Sequence, residues 1–122
     1  MRVHVFLAGC AIALSITGGL RAADSMYSKV GEIAIGGAGA FDYLNVDSDA
    51  KRLYVTHGTE VVVIDMATNA IVGRITDTPG VHGIAIAPAG RGFTSNGREN
   101  KVSIVDLKTL KVTESIETGG GP

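Results

Sequence analysis

A repeat of about forty-one residues constrains this chain more than any other feature. At that spacing Asp65 falls on Asp106 and Ile75 on Ile116, and Leu44 falls on Ile84 one residue short of it. The first copy occupies residues 41–80 and the second 81–122. Neither carries apolar residues at helical spacing over a length that would bury a helix face. Both instead show short runs of β-branched residues separated by turn chemistry. Innermost to outermost, the strands read as 43–47, 52–56, 61–64 and 70–76 in the first copy. In the second they read as 83–87, 92–95, 102–105 and 111–118.

Four short antiparallel strands per period of about forty residues are the mark of a β-propeller blade. The expected class is therefore all-β: two propeller blades of four antiparallel strands, plus one orphan strand of an incomplete propeller. That orphan is read at residues 29–35, where Val30, Ile33 and Ile35 resemble an outermost strand whose blade is otherwise missing. The third strand of each copy is the most apolar, Val61-Val62-Val63-Ile64 in the first. Such a run suits a strand covered on both faces, as when blades pack sheet on sheet. Propellers close with roughly four to eight blades. Two blades leave apolar faces open, so the reading expects a fragment or truncated product, with the remaining blades needed for closure and no stable monomer.

The segment before the repeats is read as a secretory signal over residues 1–23. Arg2 supplies the positive start, residues 3–20 are almost uncharged, and Ala22 and Ala23 offer small residues at the cut. The alternative is a membrane anchor, but Thr17, Gly18 and Gly19 shorten the apolar run below the roughly 20 residues a bilayer requires. Leu7-Ala8-Gly9-Cys10 has the form of a lipidation box, yet a cut there would fall in the middle of the apolar segment. The expected location is periplasmic or secreted. Residues 24–40 form a linker with the orphan strand, and the mature chain carries no transmembrane helix. Cys10 is the single cysteine, so the exported part has neither disulfide nor thiol chemistry.

Charge excludes one partner class. Lys and Arg total 11 against 12 Asp and Glu, which removes the basic footprint of a protein that grips phosphates. There is no tryptophan, and aromatics make up 5% of the chain, few for stacking on bases. Seventeen glycines and three prolines in a chain that is 45% apolar fit many tight turns between buried strands.

Asp65 and Asp106 each end the third strand and precede Thr68 and Thr109 by three residues. A carboxylate there accepts backbone N–H groups and fixes the following turn. Its recurrence once per repeat favours a turn fixture over an acid catalyst. With the strands placed, Tyr54-Val55-Thr56-His57 resembles the Tyr-Val-Thr-Asn signature of the YVTN-repeat β-propellers, and Phe93-Thr94-Ser95-Asn96 is a looser match that keeps the asparagine. Val63-Ile64-Asp65, Ile104-Val105-Asp106 and the turn Ala87-Pro88-Ala89-Gly90 agree with that repeat. The likeness covers residue 29 to the end and is nearest to the exported YncE-like bacterial proteins. It implies a seven-bladed propeller with poorly defined biochemical roles. His57 in place of asparagine, Ala89 in place of aspartate and a shortened turn after residue 57 depart from the pattern.

In a propeller the loops of one face carry function, because the sheets are consumed by packing. Those loops hold Asp42, His57, Glu60, His82 and Arg98, the one rim cluster of chemically able side chains that the layout gives. Their spacing matches no established metal-ligand motif. The plain alternatives are a loop imidazole bonded to a neighbouring turn for His82, an exposed hairpin tip for His57, and a solvated turn for Arg98. No nucleophile stands beside a base, so no catalytic residue is assigned. The first reading is a binding or scaffold module for an unknown protein or small-molecule ligand, without a cofactor and leaning away from an enzyme. A lactonase-like or quinoprotein-like enzyme with a metal at the channel mouth is the alternative. Single-stranded nucleic acid binding stands third and is opposed by the charge.

Overall fold

The computed structural model describes residues 26–122. The expected signal segment and Cys10 lie outside the described residues. Contacts divide the chain into Met1–Val30 and Gly31–Pro122, and all eight strands belong to the second unit. They are β1 (Phe41–Asp47), β2 (Arg52–His57), β3 (Glu60–Asp65), β4 (Ile71–Ile75), β5 (Val81–Ala87), β6 (Arg91–Asn96), β7 (Lys101–Asp106) and β8 (Lys111–Glu117). Two antiparallel sheets of order β1-β2-β3-β4 and β5-β6-β7-β8 result. The sequence repeat is thus a repeat of whole sheets, with each strand paired to its neighbour in the chain.

Turn chemistry sets the strand ends. Asp65 Oδ1 accepts the N–H groups of Ala67 and Thr68 at 3.0 and 2.9 Å and the Thr68 hydroxyl at 2.9 Å. Asp106 Oδ1 accepts Lys108 and Thr109 N–H at 2.8 and 2.9 Å. Both aspartates are turn fixtures, as their recurrence implies. These bonds favour the ionised form and hold both carboxyls below the ordinary value of 3.8, with the backbone N–H of Thr68 or Thr109 as the largest cause.

Two strand starts differ from expectation by more than one residue. The innermost strands begin at Phe41 and Val81, two residues earlier than read, because the register shifts between Phe41 and Leu44 and again between Val81 and Ile84. A bulge breaks the period-two alternation by which the strand start was read. Residues 29–35, expected as an orphan strand, carry no strand assignment. Ile33 and Ile35 instead contribute by packing on the first sheet.

The main core lies between the sheets. Tyr54, Val61, Val63 and Ile75 of the first sheet meet Val81, Ile84, Val105 and Leu107 of the second or just beyond it. A second cluster, Val55, Val62 and Ile64, lies on the opposite face of the first sheet under Ile33 and Ile35. β3 is therefore buried on both faces, which accounts for its unbroken apolar run. Full burial of each such side chain stabilises by about 1.5–3 kcal/mol.

Polar contacts pin the sheets together. Asn45 Nδ2 donates to Ile84 O at 2.8 Å, and Arg52 Nη1 donates to Leu107 O at 2.8 Å. The Thr56 hydroxyl accepts the Tyr43 N–H at 2.8 Å and lies 3.0 and 2.9 Å from the carbonyls of Tyr43 and His82. Its single proton serves one of those carbonyls at a time. Thr56 of the Tyr-Val-Thr-His stretch thus joins β2, β1 and β5. Leu110 reaches across to the first sheet, where a Cβ on Gly73 would lie 2.3 Å from its Cδ1.

Candidate functional site

Three glycines draw the loops of one rim together. Gly58 N–H donates to Ala40 O, Gly80 N–H to Gly58 O and Gly97 N–H to Gly80 O, each at 3.0 Å. The turns after β2 and β6 are thereby tied to the segments entering β1 and β5. Side chains would not fit this ladder. A Cβ on Gly80 would lie 2.6 Å from Arg98 Cγ, and one on Gly97 would lie 2.5 Å from His82 Nε2. At Gly80, φ of 68° adds a backbone reason for glycine.

Above the ladder lies an open groove of about 300 Å³. Asp42, His82 and Arg98 line it, together with Phe41 and the ladder glycines. His82 Nδ1 donates to Asp42 Oδ2 at 2.7 Å, from β5 to β1. The ring also rests on Gly97, so it is oriented on two sides while its side chain keeps 52% exposure. With Nδ1 held by a carboxylate, Nε2 is the nitrogen left to meet a ligand. His82 is a strand residue bonded across the sheets, rather than a loop imidazole bonded to a turn. Arg98 packs its methylenes on Gly80, its own N–H donates to Pro79 O at 3.3 Å, and its side chain is exposed.

His57 and Glu60 do not line this groove. His57, expected as an exposed hairpin tip, is buried at 3% exposure. Its ring stacks on Phe41 with centroids 4.3 Å apart, and Nε2 donates to Gly39 O at 3.1 Å. A carbonyl only accepts, so Nε2 carries the proton and Nδ1 is left buried without a partner. The reason for the burial is a glycine crossing: a Cβ on Gly39 would come within 2.9 Å of Gly58 Cα, so residues 36–41 lie directly across the hairpin. Glu60 is consumed by an ion pair with Arg74, which also donates to Ile35 O at 2.5 Å. Among the described residues no three His, Cys, Asp or Glu side chains gather as a metal-holding group.

The glycine ladder and the Phe41–His57 stack were not anticipated. Glycine directly after the second strand of each copy, Gly58 and Gly97, was the available signal for the ladder. The stack depends on a bulge that sequence periodicity does not reveal.

No protein-family profile matches the chain, and no curated protein matches it. Solved structures do. Hydrazine synthase of Kuenenia stuttgartiensis superposes with a TM-score of 0.64 at 18% identity, over 75% of this chain and 28% of that one. Apo AztD from Citrobacter koseri gives 0.60 at 22% identity, over 69% of this chain and 25% of that one. Kluyveromyces lactis Hsv2 gives 0.52 at 8% identity, over 66% and 25%. All three are β-propeller proteins, and the two sheets described above are blades of that fold. The chain spans between a quarter and a third of the length of these structures.

Proposed function

We propose that this β-propeller module is an exported binding module of the YVTN-repeat, YncE-like kind, and that its ligand is held at the rim groove without being chemically transformed. The observation that carries the reading is the Asp42–His82 pair in the groove, an oriented imidazole with one free nitrogen above a floor of backbone. Arg98 adds a cation at the same opening, so the groove suits a small ligand bearing an acceptor or an anionic group. Chemistry would require more. A hydrolytic site needs a nucleophile with its base or a metal, whereas His57 and Glu60 are taken up by Gly39 O and Arg74. Export follows from the N-terminal segment and is tested by cell fractionation.

The binding reading is tested by following the His82 imidazole by NMR during titration with acetate, succinate, CaCl₂ and ZnCl₂. The expected result is a saturable shift of His82 that disappears in Arg98→Ala for the carboxylates, with no turnover of a simple lactone. Stoichiometric metal together with lactone hydrolysis abolished by Asp42→Asn would replace the binding reading with the enzymatic one. Absence of any saturable shift would remove the groove as the ligand site.

A further inference from the structure

The Asp42–His82 contact fixes more than the orientation of the ring. An ionised carboxylate only accepts, so the 2.7 Å bond to Asp42 Oδ2 places a proton on Nδ1 of His82. A neutral imidazole carries a single ring proton, and Nε2 is then an acceptor. A ligand oxygen that brings only lone pairs would meet another lone pair there. Nε2 becomes a donor only when the ring takes up a second proton. The approach to that nitrogen is open. The Cβ that Gly97 lacks would lie 2.5 Å from Nε2 and 3.1 Å from Cδ2, so the missing side chain is the clearance in front of it. Gly97 is itself held by its N–H bond to Gly80 O at 3.0 Å. Both His82 and Gly97 line the groove, where solvent reaches the ring and can deliver the proton.

Charge changes in the same direction. Asp42 from β1 and Arg98 from the turn after β6 are the charged side chains that share the groove with His82. Asp77 on the turn before β5 and Glu99 beside Arg98 are exposed and line no part of it, and Glu60 is paired with Arg74. With the ring neutral, the charges of Asp42 and Arg98 cancel. With the ring charged, one positive charge is in excess at the opening. Asp42, His82 and Gly97 come from two sheets that pack against each other, so this arrangement is independent of what covers their outer faces.

We propose that the rim groove takes up a carboxylate ligand and a proton together, which deepens the binding reading above and rests on it. The ligand carboxylate accepts from Nε2–H and pairs with Arg98, while Asp42 balances the imidazolium at Nδ1. The neutral ring offers the ligand no donor, so the anion is released as the proton leaves. Because the coupling is reciprocal, the bound anion in turn holds the proton on Nε2. His82 thereby makes binding at this rim depend on pH, with the ligand favoured on the acid side of the range in which imidazoles change charge, about pH 5 to 8.

The test adds acetate to the full chain at about pH 6, 7 and 8, a range in which imidazoles titrate and acetate stays ionised. Nitrogen NMR of the His82 ring reads the proton, and the Gly97 amide signal reads the affinity. Saturating acetate at about pH 7 is expected to convert Nε2 from the bare to the protonated signature. Uptake of one proton per ligand weakens binding by about tenfold for each pH unit across which the free ring is neutral. His82→Gln, at an exposed position, is expected to abolish that dependence and leave the weak grip of Arg98 alone. A saturable shift of equal affinity at all three pH values leaves binding in the groove standing and overturns the coupling. So does an Nε2 that stays bare at saturation, or a pH dependence that survives His82→Gln and so belongs to another group. No saturable shift at any pH removes the groove as the ligand site, and the coupling with it.

Discussion

Replacing the Thr56 hydroxyl by a methyl group perturbs the junction of the two sheets at one atom. The hydroxyl accepts the Tyr43 N–H and donates to the carbonyl of Tyr43 or His82, within a site where Thr56 is 0% exposed. Thr56→Val preserves the branched shape and leaves that N–H and one carbonyl without partners. A buried donor stripped of its partner costs about 1–3 kcal/mol, and the second lost bond about 0.5–1.5 kcal/mol. Valine's added apolar surface recovers under about 1 kcal/mol. The expected net loss is about 2–3 kcal/mol. Thr56→Ser provides the contrast, because it keeps the hydroxyl and removes one methyl, a loss of about 1 kcal/mol. Urea unfolding at one fixed protein concentration, followed by circular dichroism because the chain has no tryptophan, gives both values. Equal m-values are expected, since the surface exposed on unfolding is unchanged. If serine proves more damaging than valine, packing rather than the bridging hydroxyl joins the sheets here, and the assignment of Thr56 fails.

Ile75→Ala opens the core between the sheets and is expected to cost about 2–5 kcal/mol, read from the same urea transition. Gly97→Ala places a methyl 2.5 Å from His82 Nε2, so the ring must leave Asp42; the His82 NMR signals should move while urea stability changes little. For Asp65 and Asp106 the folded carboxyls titrate below the unfolded value, so their stabilisation is present above about pH 4 and is lost as pH falls from there through the folded values. The doubly substituted Asp65→Asn, Asp106→Asn chain should be less stable at neutral pH and show a flatter acid limb, a difference that pH-dependent urea melts resolve.

The residues that could be read from sequence are those whose role repeats. Asp65 and Asp106 act within three residues of themselves, so local chemistry declares them. The unbroken run of β3 likewise reports burial on both faces, because a strand covered once would alternate. The rim was legible only in part. Asp42 and His82 are forty residues apart, and repeat alignment alone brings them to adjacent strands, where they meet at 2.7 Å. His57 fails the same logic because its burial depends on Gly39, which lies before the first copy and crosses directly over Gly58. Its counterpart Asn96 shows what changed. Asn96 is also buried, and its amide donates to Ser103 Oγ at 2.7 Å, with Ser115 Oγ 2.9 Å further on. The first sheet has Val62 and Arg74 at those two positions, so the polar path is cut, and the imidazole turns to the Gly39 carbonyl instead. The exchange of asparagine for histidine is therefore coupled to the exchange of serine for valine on the adjacent strand. Restoring asparagine at residue 57 alone should leave a buried amide without a partner, whereas His57→Asn combined with Val62→Ser should recover part of that loss.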